Sequence, residues 1–304
     1  MNDKKKSYLN GSTIELHYGL KNQSHSMDAI VQNKCELEFL TIIGEISRKF
    51  NSKIIVETEP FGEGGLRRWF TIVSGTENNK GVITTALVVA LATGIIVTPI
   101  ASATSEIART FIERLFEDDE MKILLKDKLE EEIKNLKLDA ELKIQQLSES
   151  KTITKRRSNF YLALQKYPKT DKVSFSIEDK DKTVQEEINV QRSDFDKYIT
   201  FSEELDPIID ENAVIEIISP ILIKGDYKWR GIYNGETLFF NMKSNEFKTL
   251  VQTGMIEFKN GSTINCVLEI NRKMSNGEEV ITGYDIISVN TDTENDSSLQ
   301  ISKE

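Results

Sequence analysis

The sequence predicts an α+β membrane protein, with a small N-terminal α+β domain, one transmembrane or broken, re-entrant helix segment, a long helix, and a C-terminal antiparallel β-rich domain. Three observations carry this prediction. Residues 81–105 contain no charge in a chain whose residues are 29% charged. Residues 106–150 repeat apolar side chains every three or four positions with no proline or glycine to interrupt them. Residues 173–290 alternate with the period of a strand and are punctuated by Asn-Gly pairs. A chain of 304 residues with 38% hydrophobic content and two cysteines is long enough to bury a core, and is neither collagen-like, disulfide-dense nor wholly disordered.

Residues 1–80 carry 11 basic and 10 acidic groups and read as the small α+β domain. Thr13–Tyr18 alternates as a strand. Met27–Phe50 repeats Ile30, Leu37, Leu40, Ile43 and Ile46 at helical spacing, with Ser26 or Asp28 able to cap it. Lys53–Glu57 is a second strand, and Phe61–Gly65 is a turn leading into Leu66–Val73, a possible helix. The Gly-Glu-Gly-Gly run in that turn lacks the Lys-Ser/Thr pair of a phosphate loop, so a structural turn is the better reading.

The uncharged segment 81–105 would reach roughly 37 Å as a helix, against a bilayer core of about 30 Å. A membrane span is the expectation, with a buried core helix or two central strands as the other readings. Ala86, Ala90, Gly94, Thr98 and Ser102 recur every fourth residue, a face of small side chains suited to close helix packing in an oligomer or to a pore lining. Gly94 and Pro99 could break the helix. Arg67, Arg68 and Lys80 on one flank balance Arg109, Arg114 and Lys122 on the other, so charge does not fix an orientation.

In the long helix expected over 106–150, Leu125, Leu129, Ile133, Leu136, Ala140, Ile144 and Leu147 form a stripe on a rod of 13 acids and 8 bases. The stripe needs a partner, either the C-terminal domain or another subunit. The segment 151–172 then reverses the charge, with seven bases facing one acid. Lys155, Arg156, Arg157 and Lys166 are interleaved with Phe160, Tyr161 and Tyr167, the mixture of cations and aromatic faces that a single-stranded oligonucleotide or nucleotide requires. Neutralising the acidic rod, holding lipid headgroups and packing a core are competing uses of the same residues. Trp229 and Arg230, in a similar mixture at 224–233, form the second candidate ligand site.

Within 173–290, Val173–Ile177 and Ala213–Ile223 read as strands, and Trp229–Tyr233 and Leu238–Met242 flank the hairpin signal Asn234-Gly235. Asn260-Gly261 and Ser275–Gly277 mark further turns, and Glu246–Val251 is a short helix closing a barrel or sandwich. Residues 291–304 form a polar tail. No catalytic motif occurs, and two histidines with two widely spaced cysteines supply no metal site, so neither an enzyme nor a cofactor is expected.

Read together, SHSMDAIVQNKCELEFL with ETEPFGEGGLRRWF, the uncharged segment, KRRSNFYLALQKYPKTDKVSFS, and AVIEIISPILIKGDYKWRGIYNG with FKNGSTINCVLEI resemble bacterial membrane effectors of antiviral defence islands, in particular those of the Hailong system. The resemblance spans roughly residues 13–288. It implies a homo-oligomeric, tetrameric channel in the bacterial inner membrane, paired with a nucleotidyltransferase whose single-stranded DNA oligomers hold it closed. Loss of those oligomers would open the channel, depolarise the membrane and arrest the cell. The partners so implied are a second copy of the chain, membrane lipid, the oligonucleotide or nucleotide signal, and the paired enzyme. The alternative is a non-conducting bitopic anchor whose β-rich domain binds a partner protein.

Overall fold

The computed structural model describes residues 13–24, 26–58, 66–74, 79–100, 110, 113, 116–117, 122–123, 125–126, 130–178, 184–223, 225, 227–275, 278–290 and 300–301. The chain divides into two compact units, Met1–Ser202 and Glu203–Glu304.

In the first unit, β1 (Thr13–Leu20) is followed by α1 (Ala29–Lys49), β2 (Ile54–Thr58), β3 (Leu66–Ser74), α2 (Asn79–Ile96), α3 (Glu130–Ser148), α4 (Lys151–Lys166), β4 (Thr170–Glu178) and β5 (Val184–Gln191). The strands form an antiparallel sheet in the order β2-β3-β1-β4-β5. The period of two puts Ile14, Leu16 and Tyr18 beside Phe70, Phe175 and Ile177 on one face, where they are buried. Phe39 of α1 packs on Phe70 and Phe175, and Phe160 of α4 on Phe175, so these helices cover that face. Asp28 caps α1 by accepting from the amides of Ile30 and Val31. The other face is polar and self-bonded, with Arg67 on Glu15 at 2.6 Å and the Trp69 indole on Glu178 at 3.1 Å. Leu66–Val73 belongs to β3, and the Phe61–Gly65 turn lies outside the described residues.

The transmembrane expectation for residues 81–105 is corrected here. Among the described residues no helix is long and apolar enough to cross a membrane. α2 ends at Ile96 after 18 residues, about 27 Å of helix. From Thr85 to Thr98 every residue is buried in the core of the first unit. A helix that is apolar all round has two possible solvents, lipid or protein, and here it is protein. Ala86, Ala90, Gly94 and Thr98, expected to face a pore or another subunit, pack inside their own unit, and Ser102 lies outside the described residues.

The continuous described stretch of the acidic rod contains α3, and Phe116 and Leu125 before it are also buried. Its stripe is covered within the first unit: Ala140, Ile144 and Leu147 join the same core, and the Lys143 ammonium sits 4.7 Å from the Phe50 ring centre. Ser150 ends the rod by capping α4, its hydroxyl accepting from the Ile153 amide at 3.2 Å.

The second unit contains β6 (Ile208–Ser219), β7 (Trp229–Tyr233), β8 (Glu236–Met242), α5 (Asn245–Gln252), β9 (Ile256–Glu257), β10 (Thr263–Ser275), β11 (Glu278–Val289) and β12 (Gln300–Ile301). The expected β-rich region therefore splits: Val173–Ile177 serves the first sheet, and the barrel begins after it. Asn234 and Gly235 both take positive φ, 51° and 82°, the backbone a two-residue β7–β8 hairpin needs. Gly231 is obligatory on β7, because a Cβ there would lie 2.6 Å from Ile215 and 2.8 Å from the Glu216 carbonyl oxygen. The five long strands close in the order β10-β11-β8-β7-β6, every pair antiparallel except β8 with β11. A five-stranded Greek-key barrel with its helix between the third and fourth strands has the connectivity of the OB-fold. Trp229, Phe240, Phe247, Ile264 and Ile286 fill its core. In the tail, Gln300 and Ile301 pair with Glu257 and Ile256.

Candidate functional site

Most of the basic, aromatic stretch 151–172 is α4, and the helix turns its chemistry inward. Ile153, Arg157, Phe160, Tyr161 and Leu164 share one helical stripe. The structure buries all five. Arg157 donates to the carbonyl oxygens of Ile95 at 3.1 Å and Thr98 at 2.6 Å. Tyr161 donates to Ile96 at 2.9 Å, and Tyr198, stacked on the Tyr161 ring at 4.1 Å, donates to Val97 at 3.0 Å. The Thr98 hydroxyl donates back to the Gly94 carbonyl at 2.6 Å.

These oxygens belong to the end of α2 and the two residues after it, where a helix leaves carbonyls unpaired and its dipole is negative. Buried orphans of that kind are costly, and one guanidinium with two phenols satisfies them. Burial lowers the Arg157 pKa to about 10, which leaves it charged at neutral pH, and raises both phenols, Tyr198 to about 12. Arg156 faces α1 instead, 3.1 Å from Glu38, whose other oxygen accepts from Asn159 at 3.1 Å. Lys155 is buried as well. Of the expected ligand residues in this stretch, only Lys166 is exposed; Tyr167 is half-buried and its hydroxyl accepts from the Asp28 amide at 3.3 Å. The structure thus gathers the stretch into a clasp on α2.

In the barrel the second candidate pair separates. Trp229 points inward and is buried, whereas Arg230 points out and lies over the ring of Phe239, 5.7 Å from its centre. Arg230 and Phe239 are cross-strand partners, and Phe239 is 56% exposed. Beside them lies a cleft of about 320 Å³ lined by Lys228, Tyr233, Glu236, Thr237, Phe239, Ile281, Gly283 and Tyr284 among others. Its origin is topological. β8 and β11 pair only at Asn241–Met242 with Asp285–Ile286, and the residues before those positions on both strands line the opening. Asn241 and Asn271 hold the two oxygens of Asp285 at 2.6 and 3.1 Å, which pins the closed end. The Tyr233 hydroxyl donates to Asp210 on β6 at 2.7 Å; this bond, with burial, holds the phenol above its ordinary pKa and fixes the ring. A Cβ on Gly283 would meet nothing within 4 Å, so the strand presents bare backbone to the cleft.

The expected segment 224–233 contains Lys228 and Tyr233, and sequence reasoning missed Phe239 and Tyr284. The signal for Phe239 was present, since Leu238, Phe240 and Met242 alternate inward and force Phe239 outward. Among the described residues no group of His, Cys, Asp or Glu is placed to hold a metal ion. Cys35 and Cys266 are buried thiols with raised pKa values, the opposite of a nucleophile's setting. No protein-family description matches the chain, and no curated protein matches it.

Proposed function

We propose that the chain is a ligand-reading protein whose barrel takes a short single-stranded oligonucleotide or nucleotide in the β7–β8–β11 cleft. The carrying observation is the exposed Arg230–Phe239 pair beside that cleft, on the face where OB-fold barrels hold oligonucleotides. Phe239, Tyr233 and Tyr284 offer ring faces for bases, and Lys228 and Arg230 offer two cations for phosphates. Charge sets the ligand's length. Residues 203–304 carry nine Lys and Arg against eighteen Asp and Glu, so a long polyanion is repelled beyond the two local cations. In the setting the resemblance implies, this short ligand is the signal of a paired nucleotidyltransferase in antiviral defence. The pore and membrane placement have no span among the described residues to rest on, and the proposal is confined to the binding step.

The test is fluorescence anisotropy with labelled single-stranded DNA of three to six nucleotides. Two phosphate contacts predict a slope of about −1.4 for log K against log salt. Gly283→Val, whose Cβ would meet no atom within 4 Å, adds bulk at the cleft and should abolish binding and leave the barrel folded. Unchanged binding in that variant removes the assignment. The observation favouring a second reading is the exposure of two large apolar side chains, Phe239 and Ile281, in the cleft lining, which suits a partner protein. That reading predicts binding that persists at high salt and is not competed by oligonucleotide.

A further inference from the structure

The first unit ends on one side at β2, and among the described residues β3 is the only strand paired with it. An unpaired edge offers a row of backbone donors and acceptors to another strand, and proteins normally guard such edges. The first three residues of this one, Ile54, Ile55 and Val56, are apolar. Ile55 is 59% exposed on the outer face, and Ile54 and Val56, on the inner face, line an open groove of about 770 Å³ together with Leu40 and Ile43 of α1. The groove is the ledge left where α1 overhangs the edge of the sheet.

The charges around the edge identify what fits it. Ile55 and Glu57 share the outer face of β2, and Lys53, the residue before the strand, continues that alternation while also bordering the groove; both charged side chains are exposed with no ion-pair partner among the described residues. An antiparallel copy of the same strand centred on Ile55 sets Lys53 opposite Glu57 twice, Ile55 opposite Ile55, and Ile54 opposite Val56 twice. Directly opposed unlike charges and β-branched pairs are the favoured cross-strand combinations. Centring one residue later sets Glu57 against Ile55 instead, so charge selects a single register. We infer that β2 is an isologous interface through which two copies of this chain join their sheets, Ile54 and Val56 of each copy closing the groove of the other. The interface is independent of the barrel cleft and its ligand.

Sedimentation velocity on the full chain, at roughly 1–100 μM, tests this. The wild type should sediment as an assembly whose mass halves in either Lys53→Glu or Glu57→Lys, with the dissociation constant raised at least about tenfold because both symmetry-related pairs become repulsive. The double variant Lys53→Glu/Glu57→Lys restores both pairs in reverse and should recover the wild-type assembly, which a merely misfolded single variant would not. A wild type that stays monomeric throughout, single variants that assemble like wild type, or a double variant that stays dissociated would each overturn the inference.

Discussion

Two segments of this chain carry nearly the same mixture of cations and aromatic rings, and the fold treats them in opposite ways. At 155–161 the arginines and rings are buried, clasping the end of a buried helix. At 227–239 one ring, Trp229, is buried, while Tyr227, Arg230 and Phe239 stand in solvent. What separates them is the availability of acceptors. Four carbonyls at the end of α2 sit within reach of α4 and the residues after β5. The outward side of β7 and β8 has only other side chains and water, because the strands' own carbonyls are spent on the barrel ladder.

The comparison breaks first on stability. Arg157→Ala strands buried carbonyls and should cost the first unit about 3–5 kcal/mol in chemical denaturation, whereas Arg230→Ala should stay within about 0.5 kcal/mol. Equal losses would erase the distinction. Next, Phe239→Ala removes a stacking face and should weaken oligonucleotide binding by about 1–3 kcal/mol in an anisotropy titration, with no change in melting temperature of the first unit. Tyr161→Phe deletes a single hydroxyl and should cost about 1–2 kcal/mol of stability with ligand binding unaltered.

A smaller effect is expected in alkali. Burial raises the folded pKa values of Tyr161 and Tyr198, so the stability they contribute is complete below the ordinary tyrosine value of about 10 and is lost as pH rises through the folded values, Tyr198's being about 12. Arg157, lowered to about 10, acts in the opposite sense over that window, because the unfolded chain then binds the extra proton. Two phenols against one guanidinium leave a net loss. Absorbance at 295 nm should show these tyrosines ionising together with the loss of helical circular dichroism, and gradual ionisation of a folded protein would contradict the clasp. The least effect is expected from Lys166→Ala, an exposed position in the same helix, where stability should hold within about 0.5 kcal/mol.

Much of the scaffold was legible. β1, α1, β2, the Asn234-Gly235 hairpin and α5 follow from periodicity and turn chemistry, which act locally. The fate of 81–105 was not, because hydropathy reports aversion to water and cannot distinguish lipid from a protein interior. The burial of Arg157 could have been read from its place on the stripe of Ile153, Phe160 and Leu164, but a net charge counted along the segment discards direction. The cleft could be read only in part. Phe239 is forced outward by alternation, yet its nearness to Ile281–Tyr284 depends on β8 meeting β11 in parallel after a helix and two intervening strands, a contact fixed by closure of the whole barrel.

The clasp on α2 also has a consequence for synthesis. Its bonds join residues separated by 59, 62, 65 and 101 positions, with the donor later in the chain each time. At about 5–20 residues per second, a ribosome makes the helix roughly 3–20 s before the groups that finish it. Throughout that interval the nascent chain presents a helix uncharged from Gly81 onward, whose C-terminal carbonyls have nothing to hold them. An apolar helix is therefore complete well before its polar partners exist, and aggregation during translation should concentrate there.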